Sequence, residues 1–178
     1  MSLKELTAEA HRKAETMPFV KLIFSGEITK EQYARYLVNQ ELAYAMLEAY
    51  ATDLHLLDDL PDIRRAAKIQ QDILELEPDV PDLPNTQLSP ASQAYLSHLA
   101  TIKDDPKKLM AHIYVRHMGD LYGGQMIAKK VPGSGQFYKF EDPTGLKEAL
   151  RAKLDDSLAD EALVCFQFAT DLFEDLMK

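Results

Sequence analysis

Apolar side chains recur along almost the whole chain at spacings of three and four residues, the repeat of a helix with a buried face. No stretch alternates for long enough to make a sheet, and no internal repeat is found. Residues 3–15 predict a first amphipathic helix, limited by Pro18, because the residue before a proline is pushed out of the helical region. On it Lys4, Thr7 or Ala8, His11 and Glu15 share one face. Residues 19–24 predict an apolar turn or short helix stopped at Gly26. Thr29, with Gln32 three residues later, is a capping box that opens the longest element. Tyr33, Leu37, Gln40, Tyr44, Leu47, Ala51 and Leu54 form one stripe on it; Tyr36, Ala43, Met46 and Tyr50 form a second. Two stripes mean a helix buried on more than one side, here a central one running to about Leu57.

Prolines punctuate the rest. Pro61 is expected to start a helix through Leu76, and Pro78, Pro81 and Pro84 break the chain in an exposed connector. Ser89 with Pro90, Asp105 with Pro106 and Asp142 with Pro143 are three N-cap signals with a first-turn proline. They open helices to about Lys103, to about Lys130, and through Lys147 and Arg151. Between the last two, Pro132, Gly133, Ser134 and Gly135 end one helix. Phe137, Tyr138 and Phe140 then make a short aromatic connector, with a strand as the alternative. Leu158, Ala162, Phe166, Ala169, Phe173 and Leu176 mark the final helix. The pattern predicts an all-α fold, a single-domain bundle of about eight helices spanning residues 1–178.

Composition narrows the function. A chain of 178 residues, 46% hydrophobic and 28% charged, is of ordinary globular type and can bury a substantial core without staples. The net charge of −9, with no basic block, argues against nucleic-acid binding. The one cysteine, Cys165, has no internal partner and lies between Val164 and Phe166, so it reads as core. There is no zinc-type cysteine pair, no Cys-x-x-Cys-His attachment site and no Gly-x-Gly-x-x-Gly dinucleotide fingerprint. The first eleven residues lack the apolar centre of a signal peptide. No run approaches the ~18 apolar residues of a membrane helix. These features predict a soluble, cytoplasmic protein with no membrane association.

One stretch breaks the helical economy. Gly119, Gly123 and Gly124 fall inside a run that is otherwise helical, and each costs roughly 1 kcal/mol against alanine. At one-turn spacing they leave a face without side chains, which a close helix crossing or a flat ligand could use. Paired glycines also favour a bend there. Asp120 sits at the edge of the bare patch. His11 differs from His55, His98, His112 and His117, which are scattered without metal spacing. It has Lys4 on its own face about 10 Å away along the axis, and Glu15 one turn on to orient its ring. Lys147 and Arg151, four apart, point two cations one way, as a solvated face or as a clamp for a carboxylate pair.

Taken together, Thr7-x-x-x-His11, then Tyr114-x-Arg116-x-x-Gly119-Asp120-Leu121-x-Gly123-Gly124-Gln125, then Lys147-x-x-x-Arg151, resemble haem oxygenase. The likeness runs from Lys4 to Leu176. It implies haem b, as substrate and cofactor, between a proximal and a distal helix. By position, His11 matches the proximal iron ligand, and Gly119, Gly123 and Gly124 match the distal glycines over the haem face. Asp120 matches the distal carboxylate that orders water, with Tyr44 and Arg116 in its polar network. Lys4, Tyr114, Lys147 and Arg151 match the propionate contacts. Tyr122 departs from the family pattern, which usually has serine there, and puts ligand access in question.

The resemblance implies ring opening by O2 to biliverdin, as the α isomer, with carbon monoxide and ferrous iron. With no flavin or nicotinamide site, electrons come from a soluble donor such as ferredoxin, and a bilin reductase could act downstream. Lys4, Arg12, Lys13, Lys147, Arg151 and Lys153 could dock an acidic donor. A haem-binding or haem-sensing protein without turnover would not need Asp120 or the bare glycines. A thiaminase-like enzyme would need a nucleophilic cysteine, for which Cys165 is poorly set. A plain helical interaction module would leave the glycines without a reason.

Overall fold

Side-chain caps start most of the helices. In the computed structural model, which describes every residue from Met1 to Lys178, Ser2 and Glu5 form a capping box at α1 (Leu3–Glu15). Thr29 and Gln32 form the expected one at α3 (Lys30–Asp53). Ser89, Asp105 and Asp142 each accept a first-turn amide of α5 (Pro90–Thr101), α6 (Pro106–Ile113) and α8 (Pro143–Arg151). Such caps satisfy amides that have no partner within the helix. The short α2 (Pro18–Ser25) ends on Gly26, whose φ of 77° is the left-handed conformation that suits glycine. The chain is completed by α4 (Ala66–Leu76), α7 (Gly119–Ala128) and α9 (Ala159–Asp175). There is no strand. Because α6 runs into α7 through a π-helical turn, Tyr114–Met118, the nine α-helical segments make eight rods.

Two expectations of local structure are corrected. The fourth helix starts at Ala66 and not at Pro61, because Arg65 holds residues 61–65 in another shape. Its fully buried guanidinium donates to the carbonyls of Ile63, Arg64, Phe137 and Lys139 and to the Asp62 carboxylate. Asp62 takes a φ of 66° to allow it. The aromatic connector is a 3-10 turn, Gln136–Tyr138, and not a strand. The Asp72 carboxylate accepts the amides of Gln136 and Phe137 at 2.9 and 2.8 Å, so no ladder is needed to satisfy them.

The central helix α3 packs against α4, α5 and α6, while α1 lies along α9. Helix α3 ends at Asp53, short of the expected Leu57, and it buries the first predicted stripe from Tyr33 to Ala51 but only Tyr36 and Ala43 of the second, Met46 and Tyr50 being half-buried. Cys165 is also buried. No helix is long and apolar enough to cross a membrane.

Candidate active site

The glycine-bearing rod is irregular one turn earlier than its glycines suggest. The helix widens at Tyr114–Met118, while Gly119 to Ala128 is regular α-helix. A π turn inserts a residue and so rotates the rest of the helix by about 100°. The irregular turn carries Tyr114, Arg116 and His117, and Asp120 lies just beyond it.

Asp120 is not a solvated charge. It is only 8% exposed, and Tyr44, projecting from α3, donates its hydroxyl to Oδ2 at 2.6 Å. Burial pushes the Asp120 carboxyl up to about 8, against the Tyr44 hydroxyl and the Arg116 and Arg65 cations that favour its charge. Arg116 donates Nε–H to the Tyr95 hydroxyl at 3.0 Å and Nη1–H to Gln40 Oε1 at 2.7 Å. Its guanidinium lies 4.3 Å from the Tyr95 ring centroid and 5.3 Å from that of Tyr44. Burial opposes this charge, but Tyr95, Cys165 and Tyr44 outweigh it and hold Arg116 protonated. Tyr44 is fixed edge-on between His117 and Phe137, at 5.0 and 5.2 Å. The structure thus unites three predicted residues, Tyr44, Arg116 and Asp120.

Further members are not legible in the sequence as a set. Gln40 and Tyr95 hold Arg116 from α3 and α5. His117 Nε2 is 2.8 Å from Glu48 Oε2, and Glu48 also accepts the amides of Arg65 and Ala66. The buried Nδ1 of His117 has no partner. These contacts join residues 17 to 76 apart in sequence, so no local spacing reveals them; only the stripe positions of Gln40 and Tyr44 give a hint.

The glycines divide between two tasks. A Cβ on Gly119 would meet nothing within 4 Å, and one on Gly123 only Ile127 Cδ1 at 3.9 Å. A Cβ on Gly124 would stand 2.9 Å from Tyr138 Cδ1 and 3.0 Å from its Cβ. The expectation that all three front one open face is therefore corrected. Gly119 and Gly123 leave bare backbone beside free space, while Gly124 lets Tyr138 approach the helix. Gly124→Ala should destabilise the ligand-free fold by about 1–3 kcal/mol through overpacking. Gly119→Ala and Gly123→Ala should stabilise it by up to about 1 kcal/mol each. Urea denaturation of the three variants checks this; equal losses at all three would refute the division.

His11 lies on α1 with its side chain 56% exposed, and its Nε2 is 2.9 Å from Glu15 Oε1. Phe166 of α9 backs the ring at 5.8 Å. One turn earlier, Thr7 Oγ1 meets the Tyr114 hydroxyl at 3.2 Å, and this bond ties α1 to the π turn. Lys4 is exposed at the start of α1. On α8, Lys147 Nζ lies 4.4 Å over the Tyr122 ring, and Arg151 donates to the Tyr122 hydroxyl. The two aligned cations are thus engaged by an exposed tyrosine of α7 and not by a carboxylate.

The sequence model of the heme oxygenase family matches residues 1–175. The chain belongs to the haem oxygenase family. Among curated haem oxygenases it is 29% identical to that of the red alga Pyropia yezoensis, over 98% of this chain and 84% of the other. It is also 29% identical to haem oxygenase 1 of Synechocystis, over 90% of this chain and 73% of the other. The solved structure of Synechocystis haem oxygenase 1 in complex with haem superposes with a TM-score of 0.83. It is 25% identical, covering 98% of this chain and 90% of that one. The Leptospira interrogans haem oxygenase gives 0.82 at 27% identity, covering 97% and 98%. The residues of this chain fit a haem by their own chemistry. One imidazole stands accessible on α1, a stretch of α7 backbone is unshielded, and two cations on α8 are free of carboxylate partners.

Proposed function

We propose that residues 1–178 act as a single haem oxygenase domain. It seats haem b between α1 and α7 and opens the ring with O2 and external electrons to biliverdin, carbon monoxide and ferrous iron. The observation that carries this is the buried Tyr44–Asp120–Arg116 network behind the open glycine backbone, in a chain of this family from end to end. Bound haem supplies the iron and porphyrin that activate O2, and is itself the molecule consumed. His11 offers an imidazole nitrogen to the iron, and Glu15, 2.9 Å from Nε2, orients its ring. Gly119 and Gly123 keep the opposite side free of side chains that would compete for the oxidant. Asp120 holds a proton near neutrality and Tyr44 fixes that carboxyl in place, so it can pass a proton through water, with the nearby Arg116 charge favouring its ionised form once the proton has left.

Lys4, Tyr114, Lys147 and Arg151 anchor the propionates. Anchoring sets the rotation of the ring, and hence which meso carbon is attacked; the α position is the proposal. Tyr122 must give up Lys147 and Arg151 for this, so it opposes haem seating. Lys147→Ala with Arg151→Ala should convert one biliverdin isomer to a mixture, separable by chromatography. A single unchanged isomer would sink the clamp.

The donor proposed is a soluble ferredoxin in the cytoplasm, with a bilin reductase as a downstream partner. Lys4, Arg12, Lys13, Lys147 and Arg151 would meet it; Lys153 is already held by Asp59 at 2.8 Å. A single-turnover run with haemin, reduced ferredoxin and air tests the whole reading. Soret loss with biliverdin formation supports it, and a reduced complex that never opens the ring would make the chain a haem-binding protein.

A further inference from the structure

Three side chains outside the haem cleft converge from three helices: His98 of α5, His112 of α6 and Glu161 of α9. Their ligand atoms all lie within 4.8 Å of one another. His98 Nε2 and His112 Nε2 both point at one carboxylate oxygen, Glu161 Oε1, at 2.6 and 2.9 Å. Sharing one oxygen between two imidazoles explains the contacts, but the ring spacing says more. Two imidazoles bound to one tetrahedral zinc at about 2.0–2.1 Å per Zn–N bond have centroids about 5–6 Å apart. The His98 and His112 centroids are 5.7 Å apart. That spacing is compatible with a shared metal, which would take the place Glu161 Oε1 now holds between the two nitrogens once that side chain swings aside.

The surroundings suit a metal. His112 is fully buried, and its other nitrogen, Nδ1, is 2.7 Å from the Tyr95 hydroxyl. Tyr95 in turn accepts from Arg116. A hydrogen-bond partner on the far nitrogen is the usual device that fixes the tautomer of a ligating histidine. On the outer side Glu161 also borders a solvent-open hollow lined by Asp105, Lys107, Lys108, Ser157 and Asp160, into which its carboxylate can turn. Nitrogen donors disfavour magnesium and calcium, and two imidazoles with a carboxylate suit the later first-row divalent ions.

We infer that His98, His112 and Glu161 form a binding site for a late first-row divalent cation such as zinc, separate from the haem cleft. Its occupancy would pin α5, α6 and α9 together at one point. Through Tyr95 it would also stiffen the hold on Arg116. The site does not depend on haem, so it stands or falls apart from the proposed activity.

The test uses untagged, haem-free protein and the metal alone. Cobalt(II) is titrated and its visible d–d bands are read, then zinc is titrated against a chromophoric chelator. A ligating imidazole must be neutral. Burial pulls His112 down, but Cys165 and Glu161 outweigh it and lift it to about 9, so alkaline buffer is used. One cobalt per chain with tetrahedral-type bands is expected. His98→Ala and Glu161→Gln should each weaken binding by at least about 10–100-fold. His55→Ala, which removes an exposed histidine–aspartate pair, should bind as wild type. His98→Asn serves if the alanine variant loses its helical circular dichroism. Equal affinity in the wild type and the His98 or Glu161 variants, or no uptake at millimolar metal, would overturn the site.

Discussion

His11→Ala should take up haem but lose the histidine-ligated ferric spectrum, and biliverdin formation should fall with it. The loss should be at least as large as that from removing a hydrogen-bond partner of a metal ligand, about 10–100-fold. His11 is half-exposed on α1, backed by Phe166 and held only by Glu15. Its removal leaves no buried group unpaired, so the fold should be unchanged. Added imidazole should enter the space left by the side chain and restore both spectrum and turnover in part. Rescue of this kind separates ligand loss from damage to the cleft. An alanine variant with an unaltered ferric spectrum would remove His11 from the iron and leave the proximal side without a candidate on α1.

Why His11 is legible in the sequence while His112 and His117 are not is a matter of range. His11 works with Lys4 and Glu15 on the same face of one helix, and one-turn spacing is visible in sequence. His117 works with Glu48, and His112 with Tyr95 and Glu161, across helix pairs whose register no local pattern gives. The same contrast holds for the fold. Helix starts at Thr29, Ser89, Asp105 and Asp142 arise from cap chemistry within four residues. The helix expected from Pro61 is delayed by Arg65, whose guanidinium needs carbonyls from residues 137 and 139. Spacing alone groups Gly124 with Gly119 and Gly123; Tyr138, which makes it different, arrives from a turn beyond the helix. The π turn leaves no sequence mark beyond the glycines after it.

Asp120→Asn should keep the haem bound and lose most of the biliverdin yield, by about 10²–10⁴-fold, the usual worth of a positioned proton donor. The amide fills the same volume and can still accept from Tyr44, so the cleft stays intact while the exchangeable acid is gone. An independent signature lies in the stability of the haem-free protein. The folded Asp120 carboxyl titrates at about 8, against an ordinary 3.8. Between those values the folded chain holds a proton that the unfolded chain has released. Stability from this residue is therefore lost as pH rises through that window, and changes no further above it. The asparagine variant cannot release a proton, so its stability should gain on wild type over the same range. Urea unfolding of both proteins at a series of pH values reads the difference directly. A constant gap would mean that Asp120 is already ionised at low pH. It would then enter the reaction as a fixed charge that orders water, and the proton would have to come from another member of the network around Tyr44 and Arg116.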